Sequence, residues 1–257
     1  MTDFYNMGFY RLFVKKFLFV LLISAFLCSC SEERANEKTS SKESVSAKKF
    51  KSGYRYLQAL TGSDELGNVK KRWDSVYSKP GYVFGTEPAE FLENNVDMFP
   101  KGRALALAMG EGRNAVYLAR KGFKVDGVDI SEVAIKKARR LARKNGVQIQ
   151  PILADLNDYE IAEESYELIV CFHFLLRDFI PEMIRGLKPG GYIIFENYTL
   201  EQLELKPNSV IPKEWLLEKG ESKELFSSLK IVKFESVNDG VSAVERLIAR
   251  KPLQEDR

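Results

Sequence analysis

Histidine occurs once in the 257 residues, at His173, and cysteine three times, at Cys28, Cys30 and Cys171. A zinc site assembled from several imidazoles is therefore excluded. Cys171 stands alone in an apolar run, so neither a disulfide framework nor a cysteine-rich metal centre is expected, and no metal site is assigned. A surplus of one charge is missing as well: 39 basic residues face 36 acidic ones, for a formal charge of +3. No electrostatic footprint for a nucleic acid follows from that balance. What the chain does have is 45% hydrophobic residues, enough to bury one full core.

The most apolar stretch, "FLFVLLISAFLC" from Phe17 to Cys28, is preceded by Arg11, Lys15 and Lys16. Its length of about a dozen residues is that of a signal-peptide core and falls short of the roughly 20 needed to span a bilayer. It closes on "LCSC", Leu27 to Cys30, which resembles a bacterial lipobox. That resemblance implies that Cys30 becomes a lipidated mature N-terminus; an uncleaved anchor and a start codon placed too far upstream stay open. The Ser-, Lys- and Glu-rich residues that follow carry almost no apolar side chains and read as a solvated, disordered tether. The expected organisation is a signal or anchor over 1–30, a tether over 31–67 and one globular domain over 68–257.

Inside that domain the pattern alternates strand and helix. "ALALAM" is a short apolar strand, and the helix after the next glycines stops at Gly122. "FKVDGV" is a second strand, after which Ser131 caps a helix with Ile135, Ala138, Leu141 and Ala142 on one face and Gly146 at its end. "VQIQPIL" and the nearly continuous apolar "YELIVCFHF" are the third and fourth strands. A helix carrying Ile180, Met183, Ile184 and Leu187 leads to the turn "LKPGG" and the fifth strand, "YIIFEN". "LKIVKFESV" and "VSAVERLIAR" flank the turn Asn238-Asp239-Gly240. The order predicts an α/β, doubly wound, Rossmann-like and mostly parallel seven-stranded sheet with right-handed crossovers and a C-terminal antiparallel hairpin.

The first strand ends in "GEGRNA", Gly110 to Ala115. A glycine turn lets backbone approach a ligand, and the following helix N-terminus favours a negative group. Asp129, with Ile130 beside it, follows the second strand, where an acid is placed to accept hydrogen bonds from two ribose hydroxyls. The hexapeptide also satisfies the loose dinucleotide pattern G-x-G-x-x-A, so a nicotinamide or flavin enzyme is one reading. Three further features point to S-adenosylmethionine: Ala154-Asp155-Leu156 after the third strand, Leu187 to Gly191 before the fifth, and the terminal hairpin.

Together, Arg103 to Ser131, Asp155, Leu187 to Gly191 and the hairpin resemble class I S-adenosylmethionine-dependent methyltransferases. The likeness is to the small-molecule branch that includes tellurite-resistance and thiopurine methyltransferases, and it covers about Val69 to Pro252. The resemblance implies that Gly110 and Gly112 lie beside the methionine and ribose of the cofactor and that Asp129 binds the ribose. It implies that Asp155 meets the adenine amino group, that Leu156 packs on the ring and that Phe172 and His173 border the methionine and the substrate. "WDSVYSKPGYVFGTEPAEFL", Trp73 to Leu92, resembles the branch's N-terminal lid, with Tyr82 and Gly85 closing over the cofactor and Trp73, Tyr77 and Phe84 as its aromatic face. One departure stands out: Ala106 and Ala108 occupy the acid and first glycine of D-x-G-x-G. Glu111 is then the candidate to supply the missing carboxylate.

Methyl transfer from a sulfonium asks a protein mainly to align the reactants and exclude water. If the acceptor arrives protonated, His173 is the candidate general base, on the strength of its place after the fourth strand. Arg177, Asp178, Asn197 and Tyr198 are candidate substrate neighbours, each with a plain structural alternative. The expectation is a methyltransferase acting on a small molecule, membrane-associated through Cys30 or an anchor, with a ligand-binding lipoprotein and a nicotinamide-dependent oxidoreductase as alternatives. S-adenosylmethionine is made in the cytosol, so an active enzyme should face that side.

Overall fold

In the computed structural model, which describes residues 65–207 and 211–253, the sequence pattern condenses around one mixed sheet. The expected signal segment, Cys28, Cys30 and the tether up to residue 64 lie outside the described residues. Helix α1, Glu65–Tyr77, already begins ahead of the expected domain boundary at 68. A short helix α2, Glu90–Glu93, and a 3-10 turn at Val96–Met98 complete the N-terminal segment.

The sheet contains β1 Arg103–Leu107, β2 Lys124–Asp129, β3 Gln150–Leu153, β4 Tyr166–Phe172, β5 Leu187–Tyr198, β6 Lys230–Asn238 and β7 Ala243–Arg250. Its order is β3-β2-β1-β4-β5-β7-β6. Strands β1 to β5 are parallel, and β7 is antiparallel to both neighbours. The order reverses between β1 and β4, and ligands of open α/β sheets bind at the carboxyl ends of strands flanking such a switch point.

Helices α3 Arg113–Arg120, α4 Glu132–Lys144 and α5 Ile180–Gly186 cover the sheet. In α4 the predicted apolar face is buried as a stripe of Ile135, Ala138, Leu141 and Ala142, and Ser131 Oγ accepts the Ala134 N–H at 3.1 Å as its cap. Two large clusters dominate the core: Ala106, Leu118, Val170 and Ile194 on one face of the sheet, and Leu105, Ile169, Ile193 and Phe195 on the other. Alternate residues of the same strands feed opposite clusters, as the two-residue period of a strand requires.

Three local details differ from expectation. Strand β3 is shorter than "VQIQPIL" and lies at the sheet edge, leaving Leu153 half exposed. The fourth strand stops at Phe172, because His173 has φ 55° and turns the chain out of the sheet. "LKPGG" is a bulge within β5 rather than a turn ahead of it: Tyr166 pairs with Leu187 and Leu168 with Tyr192, so the residues between loop out. Gly191 is required there, since a Cβ would lie 2.9 Å from the Lys188 carbonyl and 3.0 Å from that of Tyr166.

Between β5 and β6 the chain makes an insertion that sequence periodicity leaves unread. It holds α6 Gln202–Leu205, a 3-10 turn at Lys213–Trp215 and α7 Glu221–Leu225. Arg177 binds it from the segment after β4. Its Nε and Nη2 donate to the two carboxylate oxygens of Glu221 at 2.6 and 2.9 Å, Nη1 donates to the Glu214 carbonyl at 2.6 Å, and Nη2 to that of Leu216 at 2.9 Å. The planar guanidinium suits this fork.

Candidate functional site

A cleft of about 1530 Å³ opens at the carboxyl ends of β1, β2 and β4, under α1 and the insertion. Its floor is the turn Ala106 to Glu111, with Ala108 at φ 45° and Gly110 at φ 57°. Ala108 thus adopts the left-handed conformation that glycine accepts most readily. The aromatic residues of the N-terminal segment cover the turn: Trp73 stacks on Tyr77 with centroids 5.6 Å apart, and Phe84 meets Tyr77 edge-on at 6.0 Å. A Cβ on Gly110 would lie 2.8 Å from the Tyr77 hydroxyl, so glycine is needed for this approach. Burial, with the Asp129 and Glu111 carboxylates nearby, pushes the Tyr77 hydroxyl far above its ordinary pKa and keeps it protonated.

Asp129 ends β2 beneath the turn. Its Oδ2 accepts the Gly110 N–H and its Oδ1 the Ser131 N–H, each at 2.8 Å. Burial raises its pKa to about 6 in spite of these two donors, and Asp74 adds to the rise. Asp74 reaches from α1 to the start of α4, accepting from Ser131 Oγ at 2.6 Å and from the Val133 N–H at 3.3 Å. An acidic side chain there complements the positive end of the helix.

Asp155 follows β3. Asn157 donates to its Oδ1 from both backbone and side chain, at 2.8 and 2.7 Å. Its Oδ2 is buried without a hydrogen-bond partner, alone in this among buried side-chain oxygens and nitrogens of the described residues. Such an orphan is costly unless a ligand donor satisfies it.

The cleft brings together most of the predicted residues. Gly110, Glu111, Asp129 and Ile130 line it from the first two strand ends; Asp155, Leu156, Phe172, His173 and Gly85 line it from the rest. Two predicted residues stand elsewhere. Gly112 caps α3 at φ 89° and faces α4, where a Cβ would lie 2.8 Å from the Ala138 Cβ. Tyr82 packs beside Val116 and Leu141 and donates to the Lys137 carbonyl at 3.4 Å.

Glu111 also has a different task from the one expected. Its Oε2 accepts the Val83 N–H at 2.7 Å, and its Oε1 is 2.8 Å from the Lys137 ammonium. Lys137 in turn donates to the carbonyls of Lys79 and Gly81 at 2.8 and 2.7 Å. The carboxylate fastens the strap 79–84 to α4, and both of its oxygens are engaged there.

His173, directly after β4, also lines the cleft. Desolvation, then the positive Arg113 and Arg246, lower its pKa to about 4, while 31% of its side-chain surface stays open to the cleft, where solvent moderates that push. Asn197 is buried and donates to the Trp215 carbonyl at 2.8 Å, a structural role, whereas Tyr198 stacks on His173. Cys171 is core, its thiol pushed up to about 12 by burial. Arg177 and Asp178 open a 3-10 turn before α5 and line the cleft.

Sequence reasoning missed Trp215, Leu216 and Glu221, which line the cleft from the insertion. The unusual length of the β5–β6 connection was their one available signal. It also missed Glu196, whose signal is a carboxylate inside the otherwise apolar "YIIFEN".

The fold is an open α/β domain with a cleft at its switch point and an antiparallel β6–β7 edge. Residues 104–191 match a family model described as a methyltransferase domain. Over 97 residues the chain is 34% identical to a probable S-adenosyl-L-methionine-dependent methyltransferase TehB of Haemophilus influenzae, covering 35% of this chain and 34% of that protein. Over 125 residues it is 32% identical to a ubiquinone biosynthesis O-methyltransferase of Idiomarina loihiensis, covering 46% and 51%. The chain thus spans about a third to a half of the length of these relatives. The crystal structure of TehB from Haemophilus influenzae superposes with a TM-score of 0.52 at 22% identity, over 63% of this chain and 61% of that one, which shows the shared fold. The central segment, residues 104–191, is accordingly similar to methyltransferase domains, and S-adenosylmethionine is the cofactor named for the TehB relative.

Proposed function

We propose that the chain is an S-adenosylmethionine-dependent methyltransferase acting on a small-molecule acceptor. The observation that carries this reading is the pair of acids at the ends of β2 and β3 in one cleft with the glycine turn, one of them with an unpartnered buried oxygen. Asp129 would hold the ribose hydroxyls, Asp155 Oδ2 the adenine amino group, Leu156 the ring, and the bare backbone at Gly110 the methionine side. The cofactor supplies an activated methyl on a sulfonium. This chain's residues contribute alignment and exclusion of water, with Trp73, Tyr77 and Phe84 above the turn and Trp215 on the insertion side. A roofed cleft of this size favours a small acceptor over a macromolecule.

A second reading, a ligand-binding module that no longer transfers methyl groups, has its own support: Ala106 removes an acid, and Glu111 is engaged elsewhere. Calorimetric titration of the full chain with S-adenosylmethionine, S-adenosylhomocysteine and NADH separates the readings. Micromolar binding of the first two alone supports the methyltransferase site; binding of NADH alone replaces it with an oxidoreductase. Tight binding without methyl transfer to any nucleophile favours the non-catalytic module.

Membrane association through a lipidated Cys30, or through an uncleaved anchor facing the cytosol, is part of the proposal and rests on the leader sequence. No helix among the described residues is long and apolar enough to cross a membrane. The mass of the N-terminal peptide from membrane-fractionated protein tests it. An acylated peptide beginning at Cys30 supports lipidation, and an intact Met1 peptide favours the anchor.

A further inference from the structure

Alternate residues of β5 point to the same side, and Glu196 and Tyr198 both face His173. The Tyr198 ring stacks on the imidazole with centroids 4.7 Å apart and planes 20° from parallel. Glu196 holds the histidine twice. Its main-chain carbonyl accepts the His173 N–H at 2.8 Å, and its Oε1 lies 3.3 Å from His173 Nε2. That second separation is within reach of a hydrogen bond, and catalytic contacts commonly tighten only when substrate is bound.

The carboxylate is itself fixed from behind. Arg246, directly opposite Glu196 on β7, donates from Nε to Oε2 at 2.7 Å and lies over the Phe91 ring. Glu196 is buried while the imidazole keeps an edge open to the cleft. His173 is also held at positive φ, a conformation that costs energy and persists only where surroundings impose it. Arrangement and strain converge on one side chain at the substrate end of the cleft.

We propose that Glu196, backed by Arg246, is a positioning residue that fixes His173 with its proton on Nε2, leaving Nδ1 to take the proton of a protic acceptor, an O–H or S–H nucleophile. The proposal rests on the methyl-transfer reading above. The acceptor's heteroatom would lose its proton to Nδ1 and use its lone pair to bond the methyl carbon. The carbon–sulfur bond of the sulfonium breaks with its electron pair going to sulfur. One positive charge enters on the sulfonium and one leaves on the imidazolium, next to the Glu196 carboxylate, before passing to water. An acceptor that arrives as an anion needs none of this apparatus. The surrounding Trp73, Phe174, Leu200 and Trp215 suit a phenol or thiol on an apolar body.

The charged and titratable groups around the ring come from four elements: Arg113 on α3, Glu196 and Tyr198 on β5, Arg246 on β7, and Glu90 on α2 behind Glu196. Desolvation and the two arginines keep His173 neutral near pH 7, the state in which it can accept a proton. Burial raises the Glu196 carboxyl, and Arg246 opposes the rise.

His173 is the only histidine in the chain, so nitrogen-15 NMR of the full-length protein reports one imidazole and identifies which nitrogen carries the proton. The expected result at pH 7 is a proton on Nε2 in the wild type, with Glu196→Gln moving it towards Nδ1 and lowering the ring's pKa. A wild-type proton on Nδ1, or a ring unaffected by Glu196→Gln, would overturn the proposal, and the first of these outcomes needs no variant to fold. For the acceptor class, S-adenosylhomocysteine formation is followed with thiophenol, catechol or tellurite. Turnover of thiophenol or catechol that falls at least tenfold in kcat in Glu196→Gln, with KM for S-adenosylmethionine unchanged, supports it. Turnover of tellurite alone overturns it. Failure to bind S-adenosylmethionine would remove the methyl-transfer reading while leaving the tautomer measurement intact, so the two failures are distinguishable.

Discussion

Asp129 Oδ2 accepts the backbone N–H of Gly110 at 2.8 Å, so the acid at the end of β2 also holds the glycine turn at the end of β1. On the proposed function, structure and ligand binding share this one carboxylate. Its pKa, raised by burial to about 6 from an ordinary 3.8, has consequences for both.

Between those two values the native state holds a proton that the unfolded chain has lost. Stability should therefore fall as pH rises from about 4 to about 6, by an amount on the order of 3 kcal/mol, and level off above. Urea unfolding against pH checks this, and Asp129→Asn should flatten the slope. Affinity for S-adenosylmethionine should move the other way. Ribose hydroxyls donate best to the ionised carboxylate, so binding should weaken as pH drops through about 6, and Asp129→Ala should weaken it by about tenfold or more.

Asp155 offers a cleaner separation of binding from folding. Among the described residues its Oδ1 is bonded by neighbouring Asn157 and its Oδ2 has no hydrogen-bond partner. Asp155→Ala should cost roughly 1.5 kcal/mol or more of cofactor affinity, about tenfold, with a much smaller change in unfolding midpoint. Equal losses in both would assign the residue to the fold alone.

Ala108 at φ 45° carries a Cβ where a left-handed residue pays for having one. Ala108→Gly should stabilise the protein by about 1 kcal/mol, since the steric relief of about 1–2 kcal/mol exceeds the added chain entropy of glycine. A higher urea midpoint with unchanged slope is the expected reading.

Glu111→Ala leaves the Lys137 ammonium, 13% exposed, without its counter-charge and the Val83 N–H without its acceptor. Loss of a buried partner costs about 3 kcal/mol or more. Amide exchange at Val83 and Phe84 should accelerate well before exchange in β1 or β4, since the strap loses its fastening to α4 and the sheet does not.

The fold was legible because local periodicity and sheet burial agree. An apolar strand, a glycine turn and an amphipathic helix recur in "ALALAM" through Ala142, and the structure buries those side chains as the pattern requires. Asp129 and Asp155 were legible for a related reason: each directly follows a strand, and strand ends in a parallel sheet share one edge. Residues whose role depends on where a side chain points were not. Glu111 and Tyr82 sit where the pattern suggests a ligand, yet a carboxylate three bonds from the backbone turned to Lys137, and a tyrosine ring turned to Val116 and Leu141.

By itself, then, the sequence determined the alternation of strands and helices, the parallel sheet with its terminal hairpin, and the two acids beside the glycine turn. Those depend on periods of two and 3.6 residues and on backbone conformations that few residue types accept. Only the tertiary structure decided that Arg177 ties the insertion over the cleft, that Glu111 fastens a strap, and that Glu196 and Arg246 stand behind His173. Each of those pairings joins residues at least 23 positions apart, from |i−j| of 44 for Arg177–Glu221 to 50 for Glu196–Arg246 and 28 for Glu111–Val83. Such contacts are created by strand order and helix packing, which no local pattern encodes.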